Sequence, residues 1–270
     1  LSILFFFKID IFNLKFFKSN DHKDKKYVHK AYNVNRNLVN AISSPNYQDK
    51  KISHFYIKTS YNSCNVGYGN ANVERLKTII SQGFRCLDFE LVYKNNTLYV
   101  KNQPKNETFY NALEVIDSHA FTNSHCHNNE DPLIINIRLS ETDVKSPEKS
   151  KLVYKKLREM FRTLNSIHML GTEYSLLEYL DNNNNYKDIL TQSLTNIKQK
   201  MIVMCNYDYA IANNGINDKH ELLQYIHFNT YVPEYDNSYD PNNENISRIT
   251  EVLQSSLYNY HHLKLNLLYQ

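Results

Sequence analysis

The chain has 270 residues, 41% of them hydrophobic, which is enough to bury a sizeable core. Its formal net charge of +3 is small for this length, so we expect no nucleic-acid partner, while contact with a membrane surface stays open. The four cysteines are too few and too scattered for a disulfide scaffold. We therefore expect reduced thiols and a cytoplasmic protein.

The N-terminal part differs in composition from the rest of the chain. An apolar run over 1–17 is interrupted by Lys8, Asp10 and Lys15 before it reaches the roughly 20 apolar residues of a spanning helix. It also lacks the basic region and the small-residue cleavage site of a signal peptide. We predict that 1–26 is a terminal extension, or the edge of a fragment, rather than a membrane anchor. A single domain is predicted over 27–270, and whether it is truncated at its C-terminus stays open.

From residue 54 onward, segments with strand character alternate with segments of helical periodicity. Runs of β-branched and aromatic residues predict strands over 54–60, 84–93, 97–102, 132–139, 200–205 and 226–230. Apolar residues at helical spacing predict helices over 72–83, 107–121, 147–164 and 218–225. The segment 263–269 is a candidate seventh strand. This alternation predicts a parallel α/β sheet.

The low glycine content distinguishes between an open and a closed sheet. The chain has only 5 glycines and no glycine-rich phosphate loop after a strand, which disfavours an open nucleotide-binding sheet and favours a distorted or incomplete TIM-type barrel. In such a barrel the chemistry lies at the carboxyl ends of the strands. The polar residues at these ends are Tyr61, Asn62, Asp88, Glu90, Lys101, Asn102 and Arg138.

Asp88 and Glu90 are the most informative of these residues. Residues two apart on a strand point to the same face, so both carboxylates enter one space, above Cys86, while Leu87 and Phe89 pack outward. Two acids side by side need a cation. Lysine or arginine partners in a purely structural ion-pair network remain an alternative to a functional site.

Three segments, "IKTSYNSC", "RCLDFE" and "DPLIINIRL", resemble in their order and separation the X region of the phosphatidylinositol-specific phospholipase C family. They look closest to divergent versions carried by large DNA viruses, and the resemblance covers roughly 53–164. It implies a distorted (β/α)₈ barrel that acts on phosphoinositide-type phosphodiesters. It also implies two histidines for general acid–base catalysis and, in the eukaryotic branch, a calcium ion held by an asparagine and several acids.

This chain departs from the implied pattern at both histidine positions. Tyr61 stands at the first, and Lys101 or Asn102 is nearest to the second. Histidine, with a pKa of about 6.5, exchanges protons near neutrality, whereas a phenol, with a pKa of about 10, stays protonated. We therefore expect impaired catalysis, with Tyr61 as a hydrogen-bond donor and with Lys101 and Asn102 as substrate-binding residues.

The implied calcium site is also altered. Asn62 is retained, and Asp88 and Glu90 are retained in kind, but Arg138 replaces the acid on the fourth strand. A guanidinium beside two carboxylates pairs with them and repels a divalent cation. We therefore expect no metal cofactor, with Arg138 in place of calcium. Tyr61, Asn62, Asp88, Glu90 and Arg138 are the candidate catalytic residues.

Two functions stay open from the sequence. One is a calcium-independent phosphoric diester hydrolase with impaired catalysis. The other is a non-catalytic barrel that binds a phosphorylated headgroup or a protein partner. The histidines in "HCH" at 125–127 supply at most two metal ligands, too few for a credible site. Oligomeric state and contact with membranes stay open.

Overall fold

The computed structural model describes residues 48–55, 57–64, 72–101, 107–144, 146–181, 185–207, 221–230 and 267–269. The predicted extension over 1–26, the predicted start of the domain at 27 and the predicted site residue Asn102 lie outside these ranges. Within them, no helix combines the length and the apolar character needed to cross a membrane.

Seven strands form one sheet in the described part of the chain. They are β1 (Ile57–Ser60), β2 (Cys86–Lys94), β3 (Thr97–Val100), β4 (Leu133–Leu139), β5 (Met201–Cys205), β6 (Phe228–Asn229) and β7 (Leu267–Tyr269). The order is β6-β5-β4-β2-β1-β7, all parallel, with β3 attached to β2. The last strand pairs with the first, as in a barrel, although no described pairing joins β6 to β7. The predicted α/β fold of distorted TIM type is confirmed, and the described part of the candidate seventh strand, Leu267–Tyr269, is a strand.

The third strand departs from the predicted parallel pattern. β3 pairs antiparallel with β2, and the turn between them places Asn95 and Asn96 at φ 49° and 58°. Two residues cannot hold the crossover that a parallel neighbour needs, so the chain returns as a hairpin. The hairpin still brings Lys101 back to the site, because its N–H donates to the carbonyl of Glu90 at 2.7 Å.

Five α-helices lie in the described residues, and the predicted periodicity accounts for the first, second and fourth of them. They are α1 (Val73–Ser81), α2 (Phe109–His119), α3 (Glu141–Val144), α4 (Pro147–Leu164) and α5 (Leu176–Leu180). Single 3-10 turns cover Ile52–His54, Thr172–Tyr174, Ile189–Thr191, Leu194–Ile197 and Leu223–Tyr225. The side chain of Asn72 caps α1 by accepting the N–H of Glu74, and Pro147 opens α4. The short helix predicted over 218–225 is a 3-10 turn in its described part.

Alternation along the strands divides the core into two layers. Leu87 and Phe89 belong to the layer shared with the helices, as predicted. Cys86, Ile134 and Met204 belong to a second apolar cluster on the opposite face of the strands. Asp88 and Asn136 follow Cys86 and Ile134 on that same face, two residues nearer to the carboxyl ends. The strands therefore place polar side chains directly above an apolar layer. The four cysteines are buried and free.

His227 is a buried histidine immediately before β6, and it is only 2% exposed. Its Nδ1 accepts the N–H of Val203 at 3.0 Å, so this nitrogen carries no proton and the ring is neutral. Burial, opposed by hydrogen bonds with the backbone, lowers the pKa of His227 to about 4.

The protein is therefore expected to lose stability as the pH falls from 6.5 towards 4. In this window the unfolded chain binds a proton at His227 that the folded chain does not bind, at a cost of about 1.4 kcal/mol per pH unit and about 3 kcal/mol in total. His227→Asn keeps an acceptor for Val203 but does not titrate. Urea unfolding of both proteins across this window measures the difference, and equal pH slopes would contradict the assignment.

Candidate functional site

The sheet brings the carboxyl ends of three strands together. β1, β2 and β4 are neighbours, and in the register of β2 with β4, Asp88 lies opposite Asn136 and Glu90 opposite Arg138. Ser60 pairs with Leu87, so the chain leaves β1 beside Asp88. The predicted residues that meet here are Tyr61, Asn62, Asp88, Glu90, Lys101 and Arg138.

Asp88 is the buried centre of this group, with a side chain only 3% exposed. Its carboxylate accepts two hydrogen bonds from Arg138, from Nε at 3.0 Å and from Nη2 at 2.9 Å. The backbone N–H of Asn62 donates to it at 3.1 Å and Nδ2 of Asn136 at 2.7 Å. Each carboxylate oxygen thus accepts two hydrogen bonds, which compensates the burial of a charge.

Asn62 links the first strand to this centre. It adopts φ 45°, a left-handed conformation that asparagine tolerates better than most residues. Its Oδ1 accepts from Nη2 of Arg138 at 2.7 Å. The following Ser63 exchanges two hydrogen bonds with the backbone of Asp88, at 2.8 and 3.0 Å. The turn after β1 is therefore held against β2, and Asn62 positions both Asp88 and Arg138.

Arg138 is the cation of the site. Its Cζ lies 4.9 Å from the ring centroid of Tyr61, which is 59% exposed, and its Nη1 lies 3.5 Å from Oε2 of Glu90. Burial opposes its charge, but hydrogen bonding to Asp88 and the charges of Asp88 and Glu90 outweigh burial and raise the pKa of Arg138. The guanidinium is a permanent positive charge.

Glu90 lies between two cations. One carboxylate oxygen forms an ion pair with Nζ of Lys101, and the other faces Arg138. Together with Asp88, these residues contribute two negative and two positive charges. The four charges of the site therefore sum to zero.

An open cavity of about 560 Å³ adjoins these charges. Besides Glu90, Lys101 and Arg138, its polar lining consists of the neutral side chains Asn136, Ser140, Thr142, Asn206 and Thr230. The sequence analysis did not identify these five as site residues. A signal was available for Asn136, because it stands two residues before Arg138 and so shares its face of the strand.

A divalent cation does not fit between Asp88 and Glu90, because the Arg138 guanidinium already contacts both carboxylates. A metal ion would have to displace this fixed charge. Within the described ranges, no group of three or more His, Cys, Asp or Glu side chains could hold a metal ion. His125 stacks on His119 with ring centroids 4.5 Å apart.

Comparison with protein families assigns the chain to a class. The family model described as phosphatidylinositol-specific phospholipase C, X domain, matches residues 48–204. The match covers more than half of the chain, so the chain belongs to this family. The family match and the largely parallel sheet are both consistent with a phospholipase C-like barrel.

Solved structures of low sequence identity are similar to the chain. A calcium-dependent phosphoinositol-specific phospholipase C from the Gram-negative bacterium Pseudomonas sp is 10% identical, with a TM-score of 0.48 over 84% of this chain and 92% of that one. S. officinalis PLC21 is 14% identical (TM-score 0.43, 70% of this chain) and L. pealei PLC21 15% identical (0.38, 64%). The matches span only 25% and 20% of those two chains. No curated protein gave a significant match.

Proposed function

We propose that this family member binds the headgroup of a phosphoinositide, or a related phosphodiester, without calcium, and that its hydrolytic activity is impaired. The observation that carries the proposal is the two-point contact of Arg138 with Asp88, at 3.0 and 2.9 Å. The guanidinium supplies, at the position where the family resemblance implies a metal ion, a positive charge that does not dissociate.

The contacts of Arg138 indicate which of its nitrogens are available to a phosphate. Nε and Nη2 of the guanidinium already donate to Asp88 and Asn62. A phosphate in the cavity would instead meet Nη1 of Arg138 and Nζ of Lys101, which is 53% exposed. Both groups donate hydrogen bonds to anionic oxygens.

Proton transfer is the weak point of the site as an enzyme. The exposed phenol of Tyr61 can donate a hydrogen bond to a phosphate oxygen but is a poor base at neutral pH. Asp88 accepts four hydrogen bonds, so both of its carboxylate oxygens are already occupied by partners within the protein. This saturation favours the second candidate function, a non-catalytic barrel that binds a headgroup or a protein partner.

Three finer expectations accompany the proposal and stay predictions. They are a cytoplasmic location, contact with a membrane surface where the headgroup binds, and likeness to versions carried by large DNA viruses. A lipid headgroup as ligand would bring the cavity to a membrane surface.

Isothermal titration with glycerophosphoinositol, the soluble phosphodiester headgroup, tests the proposal. We expect the same dissociation constant in calcium and in chelator, because Arg138 replaces the ion. Calcium titrated alone should show no submillimolar affinity for this site. Calcium-independent binding would be contradicted by loss of headgroup binding in chelator. It would also be contradicted by submillimolar calcium binding that Arg138→Ala alters. No binding under either condition would reject the headgroup as ligand.

A further inference from the structure

The cavity already contains an anion of its own, the carboxylate of Glu90. The Glu90 side chain is 22% exposed and lines the cavity. One of its oxygens is paired with Lys101, and the other lies 3.5 Å from Nη1 of Arg138. A carboxylate between two cations has the arrangement that a phosphate needs.

The two cations that contact Glu90 are also the cations that a ligand in the cavity would use. Among the described residues that line the cavity, Arg138 and Lys101 are the only cations, and Nε and Nη2 of Arg138 are directed at Asp88 and Asn62. An incoming phosphate would therefore share Nη1 of Arg138 and Nζ of Lys101 with Glu90, or displace Glu90 from them. Any negative charge of the ligand that does not pair with Arg138 or Lys101 is repelled by the carboxylate of Glu90.

The rest of the lining suits an uncharged, hydroxyl-rich ligand. Two asparagines and three hydroxyl side chains surround the charges. The three hydroxyl groups can both donate and accept hydrogen bonds, as the hydroxyls of a polyol require, whereas the amides of Asn136 and Asn206 already bond to Asp88 and to the backbone of Leu139. They do not compensate a second or third phosphate, each of which brings about 1.5 to 2 negative charges near neutral pH.

We infer that Glu90 occupies the position of the ligand's phosphate and selects a singly charged phosphodiester of a polyol over headgroups that carry several phosphates. This inference rests on the proposed function and adds a specificity-determining residue to it. A ligand of one negative charge replaces Glu90 at the two cations, whereas each further charge remains uncompensated close to the displaced carboxylate.

The test compares glycerophosphoinositol with inositol trisphosphate by isothermal titration in chelator. The wild-type protein should bind the diester more tightly. Glu90→Gln keeps the shape of the side chain and removes its charge, so it should improve binding of the trisphosphate about tenfold more than binding of the diester. The matched control is Glu130→Gln. Glu130 pairs with Lys198 at 2.7 Å before β4 and β5, at the opposite ends of the strands, and the change should leave both affinities unaltered.

The outcomes separate this inference from the proposed function. Tighter binding of the trisphosphate by the wild-type protein, or an unchanged affinity ratio in folded Glu90→Gln, would overturn the role of Glu90 and leave headgroup binding intact. If neither ligand binds either protein, headgroup binding itself fails. The wild-type comparison needs no variant, so the inference can be refuted even if Glu90→Gln does not fold.

Discussion

Hydrolysis of phosphatidylinositol by this protein is expected to be slower than in a site with two histidines by about 10²–10⁴ for each missing proton-transfer group. Tyr61 stands where the resemblance implies one of these histidines, and its exposed phenol lies beside Arg138. The contributions to catalysis that remain are positioning by Asn62 and electrostatic stabilisation by the charge of Arg138. Release of soluble inositol phosphate from lipid vesicles measures the rate.

Restoring one histidine should not restore lipid hydrolysis. Tyr61→His supplies a base for the attacking hydroxyl, but the alkoxide that leaves the lipid still lacks an acid. A synthetic inositol phosphodiester with a nitrophenyl leaving group needs no acid, so Tyr61→His should accelerate its cleavage while the lipid remains uncleaved. Wild-type cleavage of the lipid at a rate ordinary for the family would show that the inference of impaired catalysis is wrong.

Replacing Arg138 by methionine should destabilise the protein by about 3 kcal/mol. Asp88 is 3% exposed and would keep two of its four hydrogen bonds but lose its counter-charge. Because Arg138 itself is 32% exposed, the expected loss lies at the low end of the range for buried pairs. Urea unfolding at neutral pH measures it.

Two further variants show whether the loss of stability comes from a buried charge on Asp88 that has no counter-ion. Asp88→Asn combined with Arg138→Met should recover part of the stability, because the buried Oδ1 of Asn136 has no hydrogen-bond partner among the described residues and could accept from the new amide. Lys198→Met breaks the more exposed pair with Glu130 and should cost no more than about 1 kcal/mol. A loss of similar size in Arg138→Met and Lys198→Met would contradict the role of Arg138 as the essential counter-ion.

The fold was predictable wherever local pattern decides structure. The helical spacing of α1, α2 and α4 and the strand character of β2, β4 and β5 come from neighbouring residues in the chain, and the structure confirms them. The convergence of strand ends follows from parallel pairing alone. This is why Asp88, Glu90 and Arg138 could be placed together, and paired by charge, without coordinates.

Tertiary structure decided the remaining features, because they depend on atoms that are distant in the chain. The direction of β3 was set by its two-residue turn, which the predicted alternation of strands and helices did not take into account. The orientation of the Arg138 fork depends on Asp88 in β2 and on Asn62 after β1, which are 50 and 76 residues away in the chain. Residue types alone predicted that the charges pair. Only the strand register shows that Asp88 is saturated while Glu90 faces the cavity between two cations.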